Sequence, residues 1–438
     1  MKILGNWKFQ FALMGSFLLL LPAAIFATNG MKVIGVGTKQ RSMGGASVGL
    51  PLDAAVTLTN PAGMVLLKSQ VNFGGALFTP KSTLDKVEGC FDPTGQGCGF
   101  PPFNNDTKGK DSEMGTSPMP AFGMILPGDR DDLKWGIAGY GVAGMGVDYP
   151  GEAIYRQPGY SNFSMMKFSA PSVAMKFGDL AFGFAYNLNW ATMGFQAAGL
   201  QSANAQGKLG SGFVLGTLYS SGAYSLGLAY ESKQDFPDFE FNGYGCPNGF
   251  QSNPSSTGPA TDCVSLSTGT ATAKTQVSGK LEFDQPPVLT GGFGYTRGAL
   301  KIAFDISQIK WSETTGKDQP KSTYANYTWN MNWSDQTVYK LGVQYEVSSI
   351  FVLRGGYNRG DDPTDHKRAF ETLMFPAIVE DHYTMGGSYQ FSKKTSLDFG
   401  YMMVPQKTVT GKNMLQGISD YETSLSETSI DLGLTSYF

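Results

Sequence analysis

Apolar and polar positions alternate with a period of two through most of this chain. Leu180, Phe182, Phe184, Tyr186, Leu188 and Trp190 fall on one face, with Ala181, Gly183, Ala185, Asn187 and Asn189 on the other. Tyr224, Leu226, Leu228 and Tyr230 oppose Ser225, Gly227, Ala229 and Glu231 in the same way. Leu300, Ile302, Phe304 and Ile306 alternate with Lys301, Ala303, Asp305 and Ser307, and Tyr339, Leu341, Val343 and Tyr345 with Lys340, Gly342, Gln344 and Glu346. Leu397, Phe399, Tyr401 and Met403 form another such face, and Ile430, Leu432 and Leu434 another, just before the chain stops on Phe438. A period of two is that of a β-strand with unlike faces. One face here is large and apolar with aromatics near its ends, and the other is small or polar. That is the pattern of a strand with lipid on one side and a lumen on the other.

The connections alternate in length. Short turns are expected at 128–132, 177–179, 220–222, 296–299, 346–349 and 392–395, and long polar connections at 82–114, 147–162, 236–272, 313–334, 362–378 and 405–424. Short turns at one end and long loops at the other are the habit of bacterial transmembrane barrels. Asp284-Gln285-Pro286-Pro287 is read as a break inside one long strand over 273–296, because proline is tolerated at bulges rather than in a regular ladder. The total is then about fourteen strands from Gln70 to Phe438, an even number, as single-chain bacterial barrels require. The fold class is all-β: an antiparallel transmembrane β-barrel, residues 70–438.

Composition agrees. Charged residues make up 16% of the chain, aromatics 13%, and glycine occurs 57 times, against about 25% charged in ordinary soluble domains. A net charge of −3 argues against nucleic acid as the main partner. Residues 1–27 read as a secretory signal peptide, with Lys2 and Lys8 before the apolar run Phe11–Ala27. Cleavage is expected after Ala27, with Ala24 as the other candidate. No later run is long and apolar enough for a membrane helix. The cysteines Cys90, Cys98, Cys246 and Cys263 sit as two local pairs in loop-like sequence, and in an exported protein this suggests disulfides, the local pairing closing the smallest loops. With two histidines and no CxxC, no metal site or cofactor is expected.

Residues 28–69 precede the first strand. Their glycines exclude a strand, and their apolar content (Val33, Ile34, Val36, Met43, Val48, Leu50, Val56, Leu58) is too high for a disordered tail. A compact plug inside the barrel is expected, turning at Asn60-Pro61, since proline pushes the residue before it out of the helical region.

Particular segments carry a resemblance to a known family. RSMGGASVGLPLDAAVTLTNPAGM (41–64), above all Asn60-Pro61-Ala62-Gly63, resembles the plug of the FadL/TodX family of outer-membrane transporters for long-chain fatty acids and hydrocarbons. Residues 283–312, 353–363 and 375–389 resemble that family's barrel segments in the same order. The resemblance implies a monomeric fourteen-stranded barrel in the bacterial outer membrane whose N-terminal hatch closes the lumen. Its partners would be a hydrophobic small molecule and membrane lipid. It implies import of hydrophobic compounds, long-chain fatty acids first, with aromatic hydrocarbons or plain porin diffusion as alternatives, and sideways release at a kinked third strand. That strand would be 133–149, with Gly136, Gly139, Gly141, Gly144 and Gly146, although these glycines would equally fit beside plug atoms. On the lumen face Lys301, Lys340 and Arg354 lie on three neighbouring strands and are candidates to meet a fatty-acid carboxylate. The competing reading pairs them with Asp305, Glu346 and Asp398. No acid–His–Ser arrangement stands out around His366 or His382, so enzyme activity is not expected.

Overall fold

The computed structural model describes residues 29–88, 107–154, 157–197, 200–201, 206–245, 250–252, 263–265, 268–273, 275–315, 330–413 and 418–438. The signal-peptide expectation and Cys90, Cys98 and Cys246 lie outside these residues. Cys263 is buried and disulfide-bonded.

Fourteen antiparallel strands close into a barrel. They are β1 (Gln70–Glu88), β2 (Thr107–Asp111 and Ser117–Pro127), β3 (Leu133–Ile154), β4 (Gln157–Phe177), β5 (Leu180–Ala197), β6 (Gln206–Ser221) and β7 (Tyr224–Glu231 and Phe239–Gly245). There follow β8 (Thr275–Leu281 and Val288–Arg297), β9 (Leu300–Ile309), β10 (Gln336–Glu346), β11 (Phe351–Gly360), β12 (Asp381–Ser392), β13 (Thr395–Asn413) and β14 (Ile418–Tyr437). Closure is direct: β14 pairs along β1 from Tyr437↔Gln70 to Asp420↔Glu88. A closed barrel leaves no sheet edge for lipid to meet.

The side chains face as the alternation predicts. Phe182, Leu188, Trp190, Tyr339, Ile430 and Leu432 are exposed on the outer wall, whereas Ala181, Ala185, Asn187, Asn189, Ala303 and Asp305 are buried within. All six short turns fall between consecutive strands as expected. The break at Asp284–Pro287 is real and has a counterpart between the two parts of β7. There Asp284 accepts from the Phe236 amide at 2.7 Å, and Gln234 bridges Gln285. The expected long connections are shorter than the sequence suggests at four places, because β1 and β2 run to Glu88 and from Thr107, β3 and β4 to Ile154 and from Gln157, β7 to Gly245, and β13 and β14 to Asn413 and from Ile418. Polar residues alternate there as well, and a strand that has left the membrane needs no apolar face.

Residues 29–69 lie inside the wall as three short turns of helix joined by loops: α1 (Gly37–Arg41), α2 (Val56–Thr59) and a 3-10 turn, Pro61–Leu66. The wall receives this segment on bare backbone. A Cβ added to Gly183 would strike Ala62, and one on Gly216 would strike Asn60. Gly227 and Gly292, directly opposite each other, lie in the same way against Val48 and Gly49, and Gly356 against Gly44. Much of the chain's glycine therefore makes room for the inner segment.

Candidate functional site

The third strand departs from the regular wall. Trp135 and Ile137 still face outward, but every residue from Ala138 to Val147 is buried on both faces. Its ladder to β2 runs only from Lys134↔Pro127 to Tyr140↔Ala121. Above that point β2 offers Pro118 and Pro120, which have no amide to donate. The two strands meet again where Glu113 N donates to Asp148 O at 2.7 Å and Asp148 N to Ser112 Oγ at 2.9 Å. Between these contacts the inner segment takes over. Val33 N donates to Val142 O at 3.1 Å, Gly144 N donates to Met31 O at 2.9 Å, and Lys32 bridges Ala143. The register toward β4 shifts at the same place, between Gly141 and Ala143. The freed backbone of β3 is thus paired inward to main chain of residues 31–33, while Val147 N donates to Ser161 Oγ at 3.3 Å.

The five glycines of this strand divide by role. Gly136 sits against Thr57 and Met64 of the inner segment. Gly139 faces Phe168 and Gly146 faces the Ser161 carbonyl, both in β4. Gly141 precedes the stretch paired to Met31 and Val33, and Gly144 belongs to it.

Asn60 is fully buried and extended, φ −148° and ψ 90°, and Pro61 opens the 3-10 turn behind it. Its Nδ2 donates to Val48 O at 2.9 Å within the segment and to Thr217 O of β6 at 3.1 Å. One side chain therefore ties the segment to itself and to the wall.

At mid-height, between the inner segment and the wall, lies a cavity of about 90 Å³ lined by Lys32, Lys167, Glu231 and Lys340, with Ser47, Thr59, Thr290 and Ser307 among its polar neighbours. Lys32 Nζ is 3.0 Å from Glu231 Oε1, and Lys167 binds the same oxygen. Lys340 stands opposite Asp305 in register, but Asp305 accepts from the amides of Ser47 at 2.7 Å and Val48 at 2.9 Å. Among the described residues Lys340 makes no hydrogen bond or ion pair.

Toward the long-loop end the lumen turns apolar. The connection from β11 to β12 folds inward as α3 (Ala369–Met374) followed by Phe375–Val379, all buried. Phe375 stacks on Phe195 with ring centroids 6.4 Å apart and lies 5.6 Å from Phe283, which in turn lies 4.8 Å from Phe163. A packed aromatic cluster therefore stands in one continuous apolar core with Val142, Val288 and Ile309, which line the cationic cavity.

The three lysine and arginine candidates do not converge. Lys301 and Arg354 share the level of Gln344, four residues along β10 from Lys340, or about 13 Å at the usual rise per residue. Lys301 is paired with Glu346 at 3.6 Å near a short turn. Arg354 donates to Gln344 at 2.7 Å and Ser388 at 2.8 Å, in a network through Asp398 that also holds Lys39 of the inner segment at 3.5 Å. Both are thus engaged by neighbouring side chains of the wall. Only Lys340 opens into the cavity. Lys32, Lys167 and Glu231 were not singled out from sequence; Glu231 stands on the inward face of an alternating run, but nothing local joins it to lysines 64 and 199 residues away. His382 is buried inward, and His366 lies in the β11–β12 connection, 3.0 Å from Asp362.

The profile of the family described as outer membrane protein transport protein (OMPP1/FadL/TodX) matches residues 20–434. The chain belongs to this family. It is a family of transport proteins, not of enzymes. Outer membrane protein P1 of Haemophilus influenzae is 24% identical over 212 residues, which is 47% of this chain and 40% of that protein. The chain thus aligns to less than half the length of that relative. The fold is that of the Pseudomonas putida toluene transporter TodX, with a TM-score of 0.69 at 18% identity over 92% of this chain and 99% of that one. A Pseudomonas aeruginosa FadL homologue gives 0.67 at 17% identity, over 93% and 100% of the two chains. The Ralstonia pickettii toluene transporter TbuX gives 0.64 at 15%, over 92% and 99%.

Proposed function

We propose that this protein takes up hydrophobic compounds through the bacterial outer membrane as a monomer, with residues 28–69 as a hatch and long-chain fatty acids as cargo. The cargo would bind within the barrel and leave sideways into the bilayer at β3. The observation that carries this reading is the break in the β2–β3 ladder from Gly141 to Val147, with its backbone paired to the hatch instead of to a strand. Lipid cannot satisfy unpaired amides and carbonyls. A lateral passage therefore needs an inner partner for the bent strand, and residues 31–33 are one.

Chemistry favours an amphipathic cargo. The aromatic cluster offers an apolar surface to an alkyl chain, whose transfer from water is worth about 25 cal/mol per Å² of apolar surface. The lysine cavity beside it suits a carboxylate. Aromatic hydrocarbons are the second reading, favoured by the phenylalanine lining. A plain porin is disfavoured by the buried hatch.

Two measurements test this. In planar bilayers the reconstituted barrel should pass little steady current, where a porin gives large lasting openings. In cells depleted of other uptake routes, expression should raise import of radiolabelled oleate more than that of toluene. Equal stimulation of both would favour the hydrocarbon reading, and stimulation of neither would sink the transport reading.

A further inference from the structure

The charge count of the lysine cavity does not close. Lys32, Lys167 and Lys340 face Glu231, and Asp305 stands beside Lys340 with its oxygens committed to hatch amides. Among the described residues, three ammonium groups against two carboxylates leave one positive charge in this buried site. Burying an uncompensated charge is costly, and one bound monoanion would remove it. Glu231 is the unusual member. Its Oε1 already sits between Lys32 of the hatch and Lys167 of β4, where an arriving carboxylate would bind best.

We propose that Glu231 is the specificity- and affinity-setting residue of this cavity, a resident anion that restricts an incoming carboxylate to Lys340. The proposal deepens the uptake reading above and rests on it. With Glu231 in place the loaded cavity is neutral and holds one monoanionic head group. A dianion would leave it negative, and a neutral hydrocarbon would leave Lys340 unpaired. Without Glu231 three lysines would grip the carboxylate together, and release would slow. A transporter must let go, so a competitor built into the site serves turnover.

The test uses the purified full-length barrel and compares binding of oleate with that of oleyl alcohol, a chain of the same length with a neutral head. Wild type should prefer oleate. Lys340→Met should lower the oleate-to-alcohol affinity ratio about tenfold, the worth of one charge-assisted contact. Glu231→Gln should raise that ratio about tenfold and slow oleate release. Glu231→Gln combined with Lys32→Gln, which restores the original charge count, should return the ratio toward wild type. An unchanged or lowered ratio in Glu231→Gln overturns the proposal, as does a wild type that binds the alcohol as well as the acid. A wild type that binds neither ligand overturns the uptake reading itself.

Discussion

Asn60 concentrates several demands on one side chain. It precedes a proline, spans from the Val48 carbonyl to the Thr217 carbonyl, and fits against a wall position that only glycine leaves empty. Asn60→Ala removes both hydrogen bonds, about 2 kcal/mol of hatch docking at roughly 1 kcal/mol each. The barrel should still form while uptake falls at equal surface abundance. Wild-type uptake by that variant would show that the docking is not needed. In the β11–β12 connection, the hydrogen bond that His366 donates to the Asp362 carboxylate raises the pKa of His366. A raised folded-state value means that the contact stabilises the loop fully below the ordinary histidine pKa of about 6.5 and is lost as pH climbs through the raised one. The His366 midpoint, followed by NMR, should therefore lie above that of the Asp362→Asn variant. Equal midpoints would leave Asp362 without influence. Residue pairs of this kind were only partly legible in sequence. Asn60-Pro61 announces a turn by its own chemistry, whereas the Lys32–Glu231–Lys167 cluster is assembled by barrel closure and has no local signature.

At the scale of elements, the wall could be read closely because each strand carries its own period of two. The hatch could be read only as compact and apolar, since its short helical turns owe their form to the glycine positions that receive them. Restoring side chains at those positions tests that dependence. Gly216→Val or Gly356→Val should overpack the hatch–wall contact at a cost of about 1–3 kcal/mol. The expected readout is new conductance through a barrel that still resists heat in detergent. Unchanged conductance would mean that the hatch does not rely on this fit. For β3, the run of glycine suggested where bending would occur, and the structure adds which backbone groups are diverted and to what. Bulk at Gly141 or Gly144, as in Gly141→Trp or Gly144→Trp, should block uptake and leave oleate binding in place. Normal import by both variants would remove β3 as the exit.

The whole molecule sets an aromatic cluster toward the long-loop end, a cationic cavity at mid-height, an inner segment seated on glycine below, and one strand that parts from β2 beside them. This order was not legible from sequence beyond the family resemblance, because the aromatic cluster is completed by the inward-folded β11–β12 connection, and a polar loop reading of 362–378 missed Phe370, Phe375 and Ile378. In the proposed route a cargo passes from the aromatic cluster toward β3 rather than down through the inner segment. The most direct measurement is to let cells import a photoreactive long-chain fatty acid, irradiate during uptake, and map the adducts by mass spectrometry. Adducts at Phe195, Phe375 and then along Gly141–Val147 and its β2 neighbours are the predicted trail. Adducts beneath the hatch, around Lys39 and Tyr437, with none along Gly141–Val147, would contradict sideways release.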